Sequence, residues 1–187
     1  MCVPRRSDIW RTGIVDAPLQ EVLDHGMDAF AVHWLPEQPS FTFSADPFGW
    51  WADDRLHLFV EYFDYRTRRG VINVVTLARD FSILERRRCL EESWHLSYPF
   101  VFGAEGGLWM LPEAHRSGGL TLYRCECFPD RWIAEARITL DCVPIDASPV
   151  HYRGHWWLFY SPAGSRLERI SKLHVAWAED IRGPWTA

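Results

Sequence analysis

Asp46, Tyr98 and Asp146 each open an aromatic-rich apolar segment of this 187-residue chain, and they lie 52 and 48 positions apart. The segments read Asp46-Pro47-Phe48-Gly49-Trp50-Trp51, Tyr98-Pro99-Phe100-Val101-Phe102 and Asp146-Ala147-Ser148-Pro149-Val150. A turn and a second apolar run follow each of them. Glu61 and Glu113 stand near the ends of the first two runs, and Ser161 takes that place in the third. Carboxyl groups converging from separate segments suit glycoside chemistry. One ionised carboxylate activates water or attacks the anomeric carbon, and a protonated partner gives a proton to the leaving oxygen. Asp46, Asp146 and Glu113 are therefore candidate catalytic residues, and Glu61, His95, Tyr98 and Arg116 are candidate substrate contacts. Plainer roles are also open. Asp46 and Asp146 can cap the turns they precede. Glu61 and Glu113 can form strand-end ion pairs with Arg66 and Arg116, worth about 0 to 1 kcal/mol if exposed. His95 can be a hydrogen-bonded loop residue.

Such residues need elements that bring them to one place. A repeat near fifty residues with several strands per unit marks a β-propeller, in which each sheet buries its faces against its neighbours and the first strands line a central axis. The reading is all-β and a single domain overall, with residues 1–40 as a preamble and three blades at about 43–92, 95–141 and 144–187. In the preamble, Asp8 to Val15 reads as a short strand, Leu19 to Gly26 as a helix started after Pro18 and closed by Gly26, and Ala29 to Pro36 as an edge strand for the array. Blade 1 carries strands at Asp46 to Trp51, Leu56 to Phe63, Gly70 to Leu77 and Glu85 to Leu90, the last preferred as a strand over a short helix. Blade 2 has strands at Tyr98 to Phe102, Leu108 to Leu111, Leu120 to Cys125 and Ile133 to Ile138. Blade 3 has strands at Asp146 to His151, His155 to Tyr160 and Leu173 to Ala178, with no outer strand. Three blades are too few to close a ring, so a homo-oligomer or a separate chain completing the propeller is expected, together with exposed apolar faces on blades 1 and 3.

Composition narrows the partners. Eleven Trp, eleven Phe and six Tyr fit strands buried on both faces. A net charge of −5 supplies no basic field for nucleic acid, and the run Arg86-Arg87-Arg88 reads as a solvated face. No apolar run approaches the length of a membrane span and the N-terminus lacks a signal core, so the chain reads as cytoplasmic. The five cysteines are unclustered, and Cys125-x-Cys127 would project both thiols from one strand face rather than around an ion. No metal and no cofactor is expected, and no nucleophile or phosphate-loop motif is present.

The segments FSADPFGWW, LFVEYFDYRTRRGVI, WHLSYPFVF, WMLPEAHRSGGLTLYR, FPDRW, IDASPVHYRGHWWLFYS and LHVAWAEDIRGPW resemble, in that order, the N-terminal propeller domain of the glucosamine inositolphosphorylceramide transferase family. That domain is in turn similar to the five-bladed propeller of glycoside hydrolase family 43. The resemblance spans about Trp10 to Trp185, and its most specific parts are HLSYPFVF and MLPE. It implies a partial propeller, truncated after the third blade, that binds or acts on a saccharide or glycoconjugate and is associated with glycosyl transfer to glycolipid; the alternative is a non-catalytic assembly module accompanying a separate glycosyltransferase. By this resemblance Asp46 matches the general base of the hydrolase plan, and Asp146 falls where that plan carries its general-acid Glu. Two departures count against hydrolysis: Phe100 stands after Pro99 where the plan has an Asp, and the third-blade acid is one methylene shorter.

Overall fold

A computed structural model describes residues 8–187. Strand-forming β-branched and aromatic residues, punctuated by tight polar turns, build three consecutive antiparallel sheets. In the first, β3 (Thr42–Ala52), β4 (Arg55–Asp64), β5 (Arg69–Leu77) and β6 (Ile83–Leu90) pair in sequence order. The second repeats this with β7 (Ser97–Ala104), β8 (Gly107–Glu113), β9 (Leu120–Cys127) and β10 (Arg131–Ile138). The third has β11 (Pro144–Tyr152), β12 (His155–Pro162) and β13 (His174–Ala178). Each sheet is a blade with its first strand innermost, as the sequence period predicts. The stretch with helical propensity before Glu92 is the outer strand β6, because its backbone completes the ladder of β5. Arg87 on that strand pairs with Glu85 at 2.6 Å and reaches Asp130 of blade 2 at 2.9 Å, so the basic run is a solvated, ion-paired face.

The preamble contributes β1 (Gly13–Val15), α1 (Leu19–His25) and β2 (Val32–Trp34). Pro18 precedes the helix and Gly26 ends it, as expected. Among the described residues β1 and β2 pair only with each other, forming a two-stranded sheet rather than an edge of the array. In blade 3 the link between β12 and β13 holds a helix that the strand pattern does not reveal, α2 (Arg166–Ser171), started by a capping box between Ser165 and Glu168. The outer-strand place of this blade is touched only by a bridge, in which Trp177 and Thr186 exchange backbone hydrogen bonds of 2.8 Å.

Alternation of side chains along each strand makes two apolar faces per sheet, and three apolar layers result. Leu56, Leu58, Val60, Val75 and Leu77 of blade 1 pack under Leu35, Ile14 and Phe81. The opposite face of blade 1, with Phe59, Ile72 and Val74, packs on Val101, Met110, Tyr123 and Trp132 of blade 2. The far face of blade 2, with Trp109, Leu111, Leu120 and Leu122, packs on Trp156, Leu158, Tyr160 and Ala176 of blade 3. Arg182 clamps that junction, with its guanidinium 4.9 Å from the Trp109 ring centroid and hydrogen bonds to Glu105, Glu135 and Asp180. The outer face of blade 1 is thus covered by the preamble, contrary to the expectation that both end faces are bare; the outer face of blade 3 is exposed at Val150, Val175 and Trp177. Among the described residues no helix is long and apolar enough to cross a membrane.

Candidate functional site

The three inner strands share one irregularity. Asp46 and Pro47 together face the single residue Val60, Tyr98 and Pro99 face Pro112, and Asp146 and Ala147 face Tyr160, because the register shifts at the same place in each blade. A bulge of this kind bends the strand and re-aims its side chains. Its first residue takes a left-handed conformation every time, with φ of 48° at Asp46, 43° at Tyr98 and 51° at Asp146. Such values are uncommon for residues other than Gly, least costly for Asp, and least expected for a bulky Tyr. Pro47 and Pro99 have no N–H to lose from the ladder, which suits them to the second bulge position. Backbone strain repeated at three equivalent points marks this mouth as the place to look for function.

Tyr98 ties the blades together there. Its backbone N–H donates to Asp46 Oδ2 of blade 1 at 3.2 Å, and its hydroxyl lies 3.0 Å from Ser148 Oγ of blade 3. Ala45 pairs with Glu61, Ser97 with Glu113 and Ile145 with Ser161, so the two glutamates and the serine occupy one repeated position beside the bulge. Both glutamates are 6% exposed. Glu113 is held at both oxygens: Oε2 accepts from Ser97 Oγ at 3.0 Å, Oε1 accepts from the His115 N–H at 2.8 Å, and His115 Nδ1 lies 2.6 Å from Oε1. Glu61 has a thinner set of partners. His95 Nδ1 accepts from the Gly70 N–H at 2.8 Å, which leaves the ring proton on Nε2, 3.6 Å from Glu61 Oε1. Only glycine fits at position 70, since a Cβ there would run into the Leu96 backbone carbonyl and lie 2.7 Å from Glu61 Oε1 and 2.8 Å from His95 Cε1.

These carboxyls act on one another. Burial pushes Glu61 up to about 8, with help from the charges of Asp46, Glu113 and Asp146. Burial also raises Asp146 to about 6, reinforced by Glu113 and Asp46. Asp46 is raised by burial, partly offset by the Tyr98 N–H. His95 is shifted down by burial and therefore favours its neutral ring. At neutral pH the mouth presents a protonated Glu61 that can donate a hydrogen bond beside aspartates that accept them. Farther along the axis lies an aromatic floor. Phe48 packs 5.0 Å from Tyr98 and 4.9 Å from Phe100, and Phe100 lies 6.1 Å from Phe102. A hollow of about 270 Å³ beside Asp46 is completed by Trp10, Arg11 and Gly13 of the preamble.

Asp46, Glu61, His95, Tyr98, Glu113 and Asp146 therefore gather at one mouth. Arg116 does not join them as an ion-pair partner of Glu113; its Nη1 donates to the Arg68 carbonyl at 3.5 Å. Arg66 likewise turns away from Glu61 and pairs at 2.7 Å with Asp64, the last residue of β4, because this more exposed carboxylate is reached at less desolvation cost. Sequence reasoning missed Gly70, His115 and Ser148. His115 stands two residues beyond Glu113, a spacing at which its N–H and ring fold back onto that carboxylate, whereas Ser148, two beyond Asp146, donates to the main-chain carbonyl of that residue; Gly70 offered only its residue type.

Residues 35–187 match the family model described as glucosamine inositolphosphorylceramide transferase 1, N-terminal. The chain belongs to this family. Within it, the chain is 38% identical over 146 residues to glucosamine inositolphosphorylceramide transferase 1 of Oryza sativa subsp. indica, covering 77% of this chain and 20% of the rice protein. The Arabidopsis thaliana protein of the same name is 34% identical over 145 residues, covering 76% of this chain and 19% of its own length. This member of the glucosamine inositolphosphorylceramide transferase family thus spans about a fifth of those relatives. Solved structures share its fold at low identity. An exo-β-1,3-galactanase from Clostridium thermocellum superposes with a TM-score of 0.62 at 12% identity, covering 86% of this chain and 40% of that one. An α-L-arabinofuranosidase from Lactobacillus brevis gives 0.60 at 13% identity, covering 86% and 61%. The fold is a partial propeller of the glycoside hydrolase family 43 type.

Proposed function

We propose that the mouth binds a saccharide or the sugar headgroup of a glycoconjugate, and that this segment serves glycosyl transfer to glycolipid as a recognition module. The observation that carries this reading is the convergence of four carboxyls, in which Asp46, Glu113 and Asp146 together raise the protonation of Glu61, beside the strained bulges of three blades. Sugar hydroxyls are both donors and acceptors, and a mixed set of neutral acid, carboxylates, phenol and Ser hydroxyl answers both. The aromatic floor of Phe48, Tyr98 and Phe100 supplies apolar surface for a sugar ring.

Binding without cleavage is the better reading. A ring at Phe100 packs on Phe48 where the hydrolase plan has a carboxylate, and Glu113 is engaged at both oxygens by its own blade. The names of the plant relatives, which are transferases, and of the structural neighbours, which include a galactanase and an arabinofuranosidase, support a carbohydrate ligand. Calorimetry and a glycan array with inositol-linked glucosamine, galactosides and pentosides test it. A saccharide bound by the wild type and lost in Asp46→Ala supports the proposal, and turnover of aryl glycosides that disappears in the same variant would replace it with hydrolysis. A second reading, assembly with another chain, is favoured by the bare apolar face of blade 3. Silence of every glycan together with a defined oligomer in solution would select that one.

A further inference from the structure

Three side chains with no role at the mouth meet beside blade 3. Asp141 and Cys142 lie in the segment joining β10 to β11, and His174 opens β13. One ligand atom from each lies within 4.8 Å of the other two. Cys142 Sγ is 3.9 Å from His174 Nδ1. Around a tetrahedral zinc ion, with Zn–S near 2.3 Å and Zn–N near 2.0–2.1 Å, sulfur and nitrogen stand roughly 3.5 Å apart. A small side-chain rotation closes that difference. The set is also pre-positioned. Tyr160, 1% exposed, donates its hydroxyl to Asp141 Oδ1 at 3.0 Å, and its ring packs 5.5 Å from that of His174, its partner in the β12–β13 register. One buried phenol thereby orients two of the three ligands, the arrangement by which outer partners fix a metal site.

We propose that Asp141, Cys142 and His174 bind a zinc ion, with the fourth position left to water. A thiolate, an imidazole and a carboxylate suit a borderline-soft cation; calcium and magnesium would call for oxygen ligands alone. The ion would fasten the blade 2 to blade 3 connection to β13, four residues before Asp146. The Cys125-x-Cys127 pair is not involved: both residues lie on β9, in blade 2.

Titration of the chelator-treated protein with Co²⁺ alone tests the site. The expected result is a thiolate-to-cobalt absorption band that saturates at a single equivalent, is displaced by Zn²⁺, and vanishes in both Cys142→Ser and His174→Gln. Cys125→Ser and Cys127→Ser should keep the band. Tyr160→Phe should weaken Co²⁺ binding about 10- to 100-fold, as loss of an outer partner does. If Cys142→Ser fails to fold, His174→Gln carries the test with the thiol intact. Absence of a thiolate band, its survival in His174→Gln, or its dependence on Cys125 or Cys127 would overturn the proposal.

Discussion

Blades 1 and 3 each turn one face away from blade 2, and the two faces meet different fates. On blade 1 Leu58 is 5% exposed beneath the preamble, whereas on blade 3 Val175 and Trp177 are each 40% exposed. The face of blade 2 that meets blade 3 and the outer face of blade 3 share one local chemistry. Trp109 of blade 2 and Trp157 of blade 3 hold the same place in their hairpins, and each indole donates to the carbonyl five residues earlier, Ala104 at 2.9 Å and Tyr152 at 3.2 Å. Trp109 is covered by blade 3, and among the described residues no blade lies over Trp157. The strand pattern therefore prepares a face for burial, and only the neighbour decides whether burial happens. Two neighbours of different construction, a blade and a two-stranded preamble, both suffice.

The sharpest way to break this comparison is truncation of the covered face. Leu58→Ala should cost about 2 to 5 kcal/mol in urea unfolding, since its neighbours can collapse only partly into the space. A cost near zero would mean that the preamble does not seal blade 1.

Next in size is a pH effect at the mouth. Glu61 has its ordinary value of 4.5 unfolded and about 8 folded, so between these values the folded chain holds a proton that the unfolded chain has released. Its contribution is fully present below pH 4.5 and is lost as pH rises through 8. Asp146 adds a loss of the same sign between 3.8 and about 6. Glu61→Gln, neutral at every pH, should match the wild type near pH 5 and exceed it above pH 8 by on the order of a few kcal/mol. Parallel stability curves for the two proteins would contradict the raised carboxyl.

Gly70→Ala should cost roughly 1 to 3 kcal/mol, because the added methyl meets the Leu96 backbone carbonyl as well as Glu61 and His95. It should also weaken any saccharide bound at the mouth. The smallest effect belongs to the bare face: Val175→Ala should stay within about 0.5 kcal/mol of the wild type. A loss comparable with that of Leu58→Ala would show that blade 3 is covered in solution.

The sequence alone carried the blades well, because a fifty-residue repeat of apolar runs constrains strand order directly and Asp46, Tyr98 and Asp146 sit at its repeating origin. It also placed Glu61 and Glu113 in one repeated position. What it could not carry was set by contacts across blades. The seal over blade 1 depends on Leu35 and Ile14 reaching a sheet from a separate hairpin. Arg66 and Arg116 bond Asp64 and the Arg68 carbonyl rather than the two glutamates, since proximity in sequence says little about which acceptor a flexible side chain finds. The bulges themselves arise from a register shift, which no residue type announces. α2 is short and rests on a local cap rather than on an apolar period.

On the proposed function a sugar engages the mouth and not the bare face. Backbone amide shifts followed by NMR during titration with inositol-linked glucosamine and with galactosyl and pentosyl oligosaccharides test it most directly. Saturable shifts are expected at Asp46, Tyr98, Asp146 and Ser148, with Trp157, Val175 and Trp177 unmoved. Shifts confined to the blade 3 face, or none at the mouth with any of these sugars, would contradict it.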